Sequence, residues 1–290
     1  MANEKVMKGD ILEFASNMKK LVNNKEHSDV KFLIGQNRKA VYAHRCILSS
    51  RCAVFKATFA EQTQKNGTID KETPFVLSDM NADIFTAMLE FIYTNCVTLT
   101  PKIAIEVLAT ALEYGLDDLR RLCCEYLEEN LSVQNACDCM QAAVTYGQEE
   151  LKEKCLIYIE QHTESVFKSK AFQELSEDAL SEILKVDGLN MDEAEIIKYI
   201  KEWAAVNSVV LGRPVADVAK NVIQWVRLPI LTPDEISKIE KENKKDNIVT
   251  VDMFATAWKF HALNKPDEGN PLAKKRIGTQ DRPHHKNLNG

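Results

Sequence analysis

The sequence predicts an α+β domain followed by an all-α domain, and two observations support this. Short β-branched and aromatic runs alternate with helical periodicity over roughly the first hundred residues, whereas the rest is almost continuously helical and contains an internal repeat. With 290 residues, 45% of them hydrophobic, the chain is long enough to form two domain cores. We expect a flexible N-terminus (1–9), an α+β domain (10–131), a helical domain (132–263) and a disordered tail (264–290).

The α+β domain is expected to begin with an amphipathic helix over residues 10–22. Ile11, Phe14, Met18 and Leu21 follow one another at three- and four-residue spacing, which places them on one apolar stripe. Such a stripe needs a covering surface, which is either the same domain or a second copy of the chain.

Strand signals follow this helix. VKFLI (30–34) and RKAVY (38–42) flank a turn-rich GQN and predict a hairpin. PFVLS (74–78) is a further strand candidate, and the polar stretch 62–73 before it predicts a loop.

The stretch YAHRCILSSRCAVFKATF (42–59) changes from a strand period to a helical one. A break near Ser49-Ser50 predicts two short helices. We expect Cys46 and Cys52 to lie in or near the core.

Two later helices carry start signals. Asp79 or Asn81 is expected to cap the helix that follows the third strand. Thr100 and Pro101 resemble an N-cap followed by proline at the first helical position.

An internal repeat dominates the helical region. Residues 109–131 and 141–163 align with a shift of 32, and each reads as helix, glycine stop and helix. The alignment pairs Ala111 with Ala143, Tyr114-Gly115 with Tyr146-Gly147, Leu119 with Leu151, Cys123 with Cys155, and Tyr126 with Tyr158. Repeats of this size are helical hairpins that bury their apolar faces by stacking, so a stacked helical domain is predicted.

The composition changes after Leu263. The remaining residues are rich in proline, glycine and charge and almost free of apolar side chains, which predicts a disordered tail. The basic run Lys274-Lys275-Arg276 is compatible with a nuclear address, with contact to an acidic surface, or with simple solvation.

The eight cysteines do not form a reactive or metal-binding pattern. A thiolate nucleophile needs a nearby base, and His44 and Cys46 do not share a helix face. Cys123 and Cys155 occupy the same place on the apolar stripe of the repeat, which indicates core packing. No cysteine spacing matches a zinc site, and phosphate-loop, dinucleotide, hydrolase and zinc-protease motifs are absent. We expect no enzymatic activity, metal or cofactor.

Net charge and hydropathy exclude two classes of partner. The formal charge is -6, from 37 basic and 43 acidic side chains, so nothing attracts the chain generally to nucleic acid or anionic lipid. No window approaches the roughly 20 apolar residues of a membrane span, and the N-terminus lacks the apolar core of a secretory signal. We expect an intracellular protein, cytoplasmic or alternatively nuclear, that binds neither nucleic acid nor membrane.

Several segments resemble a known family. SDVKFLI, YAHRCILSSRCAVFKATF and PFVLSDMNADIFTAMLEFIYTN resemble the BTB/POZ domain, including its A-H-[KR]-x-x-L and F-x-x-x-L-x-[FY]-[IL]-Y patterns. YLEENLSVQNACDCMQAAVTYGQEELKEKCLIYI, FQELSEDALSEIL, DEAEIIKYIKEWA and VRLPILTPDEI resemble the BACK domain that follows BTB in Kelch-type adaptors. The resemblance covers roughly residues 10–263. Only 24 of the 290 residues follow AWKFHALNKP (257–266), so we expect no Kelch propeller.

The resemblance implies a non-enzymatic protein-protein interaction module, or scaffold. Such a protein forms a homodimer through its BTB domain and presents its BACK helices to a client protein. In this family the first helix packs across a two-fold axis, and the uncovered stripe gives this inference a separate physical motive. The implied dimer interface comprises Ile11, Leu12, Phe14, Met18 and Leu21.

The resemblance also implies a charged pocket near the dimer interface, formed by Asp29 and Arg45. The alternative is that Asp29 caps local backbone groups and that Arg45 is solvated.

A second function that the resemblance implies is that of substrate adaptor in a cullin-RING E3 ubiquitin ligase, with a cullin scaffold as partner and ubiquitination as the outcome. Cullin-binding members carry a hydrophobic residue, any residue, and then an acidic or serine residue in the loop after the helix that ends near Phe59. This sequence has Thr63, Gln64 and Lys65 there. Threonine is a poor apolar anchor and lysine reverses the charge, which argues against cullin binding.

Overall fold

The computed structural model describes residue 7 and residues 9–66, 73–263 and 270–287. The chain divides into two compact units, Met1–Asn130 and Leu131–Gly290.

The first unit combines a small sheet with six helices in its described residues. The strands are β1 (Val30–Ile34), β2 (Lys39–Ala43) and β3 (Phe75–Leu77), and the helices are α1 (Ile11–Lys19), α2 (Arg45–Arg51), α3 (Ala53–Asn66), α4 (Ala82–Thr94), α5 (Ala104–Glu113) and α6 (Asp117–Glu129). The sheet order is β2-β1-β3. β1 and β2 form the expected antiparallel hairpin, and β3 pairs with β1 in parallel.

The core of this unit is built around Phe32 of β1. Alternate burial along β1 turns this side chain inward. Its ring centroid lies 5.7 Å from that of Phe55, 5.6 Å from that of Phe75 and 5.0 Å from that of Phe85. The cluster therefore joins the sheet to α3 and α4 through tilted and edge-to-face aromatic contacts.

The stretch 42–59 forms two helices, α2 and α3, as predicted. The break between them falls at Cys52, two residues after Ser50, where the backbone is extended (φ -139°). Cys52 is buried as expected, but Cys46 is exposed because α2 turns Arg45 and Leu48 inward. The predicted loop over 62–73 is also partly wrong, because α3 continues to Asn66; residues 67–72 lie outside the described residues.

The predicted N-cap of α4 is confirmed, whereas the predicted start of α5 at Thr100-Pro101 is wrong. Asn81, and not Asp79, is the N-cap of α4, where its side chain accepts a hydrogen bond from the backbone N–H of Asp83 (2.9 Å). α5 begins at Ala104 and not at Pro101; residues 101–103 form a turn, in which the carbonyl of Thr100 accepts hydrogen bonds from the backbone N–H groups of Ile103 and Ala104.

The second unit is helical in its described residues. Its α-helices are α7 (Ala136–Thr145), α8 (Glu149–Gln161), α9 (Thr163–Phe167), α10 (Glu177–Lys185), α11 (Glu193–Leu211), α12 (Val215–Ile223), α13 (Pro233–Asn243) and α14 (Val251–Leu263). Short 3-10 helices occur at Lys170–Glu174, Leu228–Ile230, Pro271–Ala273 and Pro283–Asn287. Trp203 of α11 is fully buried, and its indole N–H donates to the carbonyl of Leu175 (2.9 Å).

The predicted repeat has a structural counterpart. The pair α5–α6 and the pair α7–α8 are both helical hairpins, in which Gly115 (φ +64°) and Gly147 (φ +62°) occupy the left-handed region at the turn. Glycine adopts this conformation without steric cost. The first hairpin belongs to the first unit and the second hairpin to the second unit. The predicted fold class, α+β followed by all-α, is confirmed.

The structure differs from the expected disordered tail over 264–290. Residues 270–287, which we call the C-terminal segment, pack within the second unit and bury Arg276, Arg282 and His285. Composition predicts disorder from the lack of apolar residues, but here remote carboxylates bind the charged side chains. Residues 264–269 and 288–290 lie outside the described residues.

Candidate interaction surfaces

Helix α1 is anchored to its own unit on one side. Asp10 caps its start by accepting hydrogen bonds from the backbone N–H groups of Leu12 (2.8 Å) and Glu13 (3.1 Å). Ala15 is buried, and α1 contacts α4, where Lys19 forms an ion pair with Glu90 (2.6 Å). The helix is thus held in a defined orientation.

Three apolar side chains in the first turn of α1 are open to solvent. Ile11 is 66% exposed, Leu12 77% and Phe14 61%. Met18 and Leu21, which the sequence assigns to the same interface, are half-buried, and Leu21 lies beyond the end of the helix. We call Ile11, Leu12 and Phe14 the α1 apolar surface.

Asp29 and Arg45 are brought together, but mainly through backbone groups. The carboxylate of Asp29 accepts a hydrogen bond from the backbone N–H of Arg45 (2.7 Å), at the N-terminus of α2. The Arg45 Nε group donates to the backbone carbonyl of Asp29 (3.3 Å). Because the helix N-terminus favours negative charge, Asp29 acts as a cap supplied from outside the helix.

The Arg45 guanidinium is buried, so the alternative of a solvated side chain is wrong. It lies over the rings of Phe59 (4.6 Å to the centroid) and Phe75 (5.7 Å). Its NH2 group donates to the side-chain oxygen of Gln62 (2.7 Å). The pair therefore fixes α2 against α3 and the sheet, and cation–π contacts contribute to this.

A histidine-tyrosine pair next to this site was missed from the sequence. The hydroxyl of Tyr93 accepts a hydrogen bond from the backbone N–H of His44 (2.8 Å) and lies 2.9 Å from its Nδ1. Burial raises the pKa of Tyr93 well above its usual range, so the hydroxyl stays protonated. The Nε2 atom of His44 is buried, with no hydrogen-bond partner in the part of the chain that the structure describes. The only signal was the tyrosine of the FIY sequence in α4.

The three residues compared with the cullin-contact motif lie in a helix and not in a loop. Thr63, Gln64 and Lys65 belong to the last turns of α3. The hydroxyl of Thr63 donates to the carbonyl of Phe59 (2.9 Å), and Gln64 is exposed.

The cysteines are free thiols, and most are buried in the core. Burial raises the pKa of Cys123 to about 12, of Cys137 to about 11 and of Cys139 to about 12. These three thiols are therefore protonated at neutral pH and unsuited to nucleophilic attack.

Neither a metal-binding cluster nor a membrane-spanning helix is found among the described residues. Among residues 7, 9–66, 73–263 and 270–287, no group of three or more His, Cys, Asp or Glu side chains is placed to bind a metal ion. No helix in the same residues is both long enough and apolar enough to cross a membrane.

The basic run of the C-terminal segment is not a continuous exposed patch. Arg276 is only 2% exposed. Lys274 forms an ion pair with Asp187, and Lys275 forms one with Asp281 (3.2 Å). Simple solvation of the whole run is therefore not what the structure shows.

Comparison with known families defines the class of protein. A model of the BTB/POZ domain matches residues 18–131, and a model of the BACK domain (BTB And C-terminal Kelch) matches residues 136–241. The chain belongs to the BTB–BACK family. Proteins of this family are generally non-enzymatic interaction modules and are often cullin adaptors.

Individual relatives narrow the comparison. The chain is 42% identical over 285 residues to BTB/POZ domain-containing protein 19 of Bos taurus and to that of Homo sapiens, which covers 98% of this chain and 96% of each relative. It is 30% identical over 233 residues to BTB/POZ domain-containing protein 9 of Drosophila melanogaster, which covers 78% of this chain and 30% of that relative. The resemblance inferred from the motifs is confirmed.

Proposed function

We propose that this chain is a non-enzymatic protein-interaction module that forms a homodimer through its BTB domain and presents the helices of its BACK domain to partner proteins. The observation that supports self-association is the α1 apolar surface. Ile11, Leu12 and Phe14 are between 61% and 77% exposed on a helix that is capped and docked.

A two-fold dimer would bury the α1 apolar surface twice, once on each copy. A two-fold axis brings two copies of one surface together, so a single exposed aromatic and two aliphatic side chains remove twice their area from water. A specific interface buries about 800 Å² on each partner, which exceeds what three side chains supply. The α1 apolar surface would therefore form the centre of a larger contact, where the energetically dominant residues usually lie.

Sedimentation velocity of the purified chain at micromolar concentration tests this proposal. We expect the wild type to sediment as a dimer and Leu12→Glu as a monomer, because a charge replaces an apolar side chain at the centre of the interface. The expected cost is about 2 kcal/mol or more, roughly 30-fold in dissociation constant. Glutamate in the first turn is compatible with the helix itself.

The matched control places the same substitution on a different exposed aliphatic residue. Val209 of α11 is 84% exposed and belongs to the second unit, so Val209→Glu should remain dimeric. A monomeric wild type would overturn the proposal, and so would equal effects of the two substitutions.

A second candidate function is that of cullin adaptor, which family membership favours. It predicts a heavier species when the chain is mixed with the N-terminal region of the cullin scaffold that accepts BTB adaptors. We expect the dimer to sediment unchanged, because Thr63 and Lys65 depart from the family pattern. The double variant Thr63→Leu with Lys65→Glu restores that pattern and is the control for gain of binding. A heavier complex with the wild type would favour the adaptor function.

A further inference from the structure

The C-terminal segment lies in a groove on the second unit. The groove is formed by residues 186–193 and by the first turns of α11 and α13. Backbone N–H groups of the segment donate to its wall: Ile277 to the carbonyl of Asp187 (3.0 Å), Gly278 to the carbonyl of Leu189 (3.1 Å) and Gln280 to the carboxylate of Asp192 (2.9 Å). The segment is thus held by its main chain, at a turn that the backbone N–H of Thr279 closes by donating to the carbonyl of Arg276 (3.1 Å).

Arg276 enters the most buried part of the groove. Its Nε donates to the carboxylate of Glu193 (2.8 Å), and both side chains are 0% exposed. Its remaining nitrogens donate to the backbone carbonyls of Val186 and Trp225. Each of the three guanidinium nitrogens thus donates to a group that lies outside the segment.

Arg282 is bound by two carboxylates at once. Its guanidinium contacts both oxygens of Asp192 (3.0 and 3.1 Å) and both oxygens of Glu235 (2.8 and 2.9 Å). Asp192 is the N-cap of α11, and Glu235 closes the capping box of α13. Burial alone would lower the pKa of Arg282, but hydrogen bonds and charge interactions with these carboxylates raise it. A planar guanidinium fits such a site, and an ammonium group does not reproduce its geometry.

Glycine is required between the two arginines. A Cβ atom at Gly278 would lie 1.9 Å from the backbone nitrogen of Met191 and 2.3 Å from the carbonyl carbon of Asn190. These are backbone atoms and have no side-chain freedom to move aside. The groove therefore fits a narrow segment at this point.

The segment is seated by polar contacts and contributes little to the apolar core. Ile277, its central aliphatic residue, is 77% exposed. An element that belongs to a hydrophobic core would bury such a side chain. The geometry is that of a ligand peptide in a built site.

We propose that this groove is a peptide-binding site of the BACK unit, occupied in cis by residues 270–287, and that it takes a segment of a partner protein that forms the same turn, with two arginines six positions apart and a glycine between them. The partner segment displaces the C-terminal segment. This inference deepens the proposed function by naming the chemistry of the partner, and it rests on that function only in requiring that the BACK unit binds one.

The test uses a fluorescent peptide with the sequence of residues 270–287 and the full-length chain, with binding followed by fluorescence anisotropy. In the wild type the groove is occupied, so binding should be weak. In the full-length variant Gly278→Ala the chain's own segment cannot seat, and the wild-type peptide should bind at least tenfold more tightly.

Two controls isolate the chemistry. A peptide carrying Arg282→Lys should bind the Gly278→Ala chain at least tenfold more weakly, because the paired contacts of the guanidinium are lost. Adding Asp192→Asn to the Gly278→Ala chain should weaken binding to a similar degree, although asparagine is an equally good N-cap and preserves α11.

A Gly278→Ala chain that melts cooperatively and does not bind the peptide would overturn the proposal. If that variant fails to fold, hydrogen exchange of the wild type tests whether the C-terminal segment can leave the groove while the rest of the unit stays folded. The amides of Ile277, Gly278 and Gln280 should exchange through local opening, faster than those in the centre of α11, and equal protection would overturn the proposal.

These outcomes are independent of the dimer. If the chain sediments as a dimer but does not bind the peptide, the groove proposal fails and self-association stands. If the chain is a monomer that binds the peptide, self-association fails and the groove proposal stands.

Discussion

Helix α1 and the C-terminal segment attach to their units by opposite means. α1 carries an apolar stripe, docks through the buried Ala15, and leaves Leu12 and Phe14 exposed. The C-terminal segment is polar and basic, yet it buries Arg276 and Arg282. Burial therefore follows the availability of complementary groups, and not the hydrophobicity of the segment alone.

The two attachments differ in what they contribute. A buried ion pair offsets its own desolvation only when its geometry is good and its other hydrogen bonds are satisfied. A buried carboxylate also disfavours any bound segment that lacks the matching positive charge. The buried ion pair therefore contributes more to selectivity than to stability. An exposed apolar surface has no such requirement of geometry and fits any complementary apolar surface. The contrast leads to three experiments on single side chains.

The largest effect is expected from Arg276→Met. This change leaves the carboxylate of Glu193 without its guanidinium in a site with 0% exposure. Breaking a buried pair in this way costs about 3–5 kcal/mol, which urea denaturation would measure as a loss in the free energy of unfolding.

The reference for this measurement is an exposed pair of similar distance. Arg121 and Glu125 are 2.6 Å apart on the surface of α6. Arg121→Ala should lower the free energy of unfolding far less than Arg276→Met does, because solvent screens the exposed pair. Comparable losses for the two variants would contradict the contrast between a buried and an exposed pair.

An intermediate effect is expected from Ala15→Leu. Ala15 is the buried residue of α1, and a larger side chain there should force α1 away from α4, at a cost of about 1–3 kcal/mol. Ser16 is exposed, so Ser16→Leu should change stability by about 0.5 kcal/mol or less. Thermal unfolding compares the two, and equal shifts would show that α1 does not dock through Ala15.

The smallest effect on stability is expected when the pH is lowered and His284 becomes protonated in the unfolded chain. Burial lowers the pKa of His284 to about 4, helped by His285 and His261, whose ring centroids lie 4.4 and 4.7 Å away. In the unfolded chain the imidazole takes up a proton near its ordinary pKa of 6.5. Between about pH 6.5 and pH 4 the unfolded state binds more protons, so stability should fall as the pH falls through this window.

The measurement compares the free energy of unfolding of the wild type and His284→Gln at pH 7 and pH 5. The wild type should lose more stability than the variant. An identical pH dependence would rule out a buried neutral imidazole at this position. α1 contains no histidine, so this dependence would belong to the C-terminal segment.

Features that depend on near neighbours were predicted from the sequence. The hairpin of β1 and β2 follows from alternation over five residues, and the two helical hairpins follow from an apolar period interrupted by Gly115 and Gly147. The stripe on α1 was also visible, but the exposure of its first residues and the partial burial of Met18 and Leu21 were not, because these depend on the position of α4.

Features that depend on remote contacts were not predicted. Arg276 and Glu193 are separated by 83 residues, Arg282 and Asp192 by 90, and His44 and Tyr93 by 49. Composition records that the C-terminal segment is charged, but not that opposite charges meet it. Asp192 caps α11 through local contacts, and nothing in the neighbouring sequence indicates that it also binds an arginine.

The close approach of Gly278 to the backbone of Met191 fixes the register of the C-terminal segment in the groove. Sliding the segment by one residue would bring Ile277 or Thr279, both β-branched, to a point where a Cβ lies 1.9 Å from the backbone of Met191. The same slide would move the Arg282 guanidinium away from the carboxylates of Asp192 and Glu235. Shape and charge thus agree in a single register, which can be written as the sequence pattern R-x-G-x-x-x-R. The sequences of candidate partners can be screened directly for this pattern.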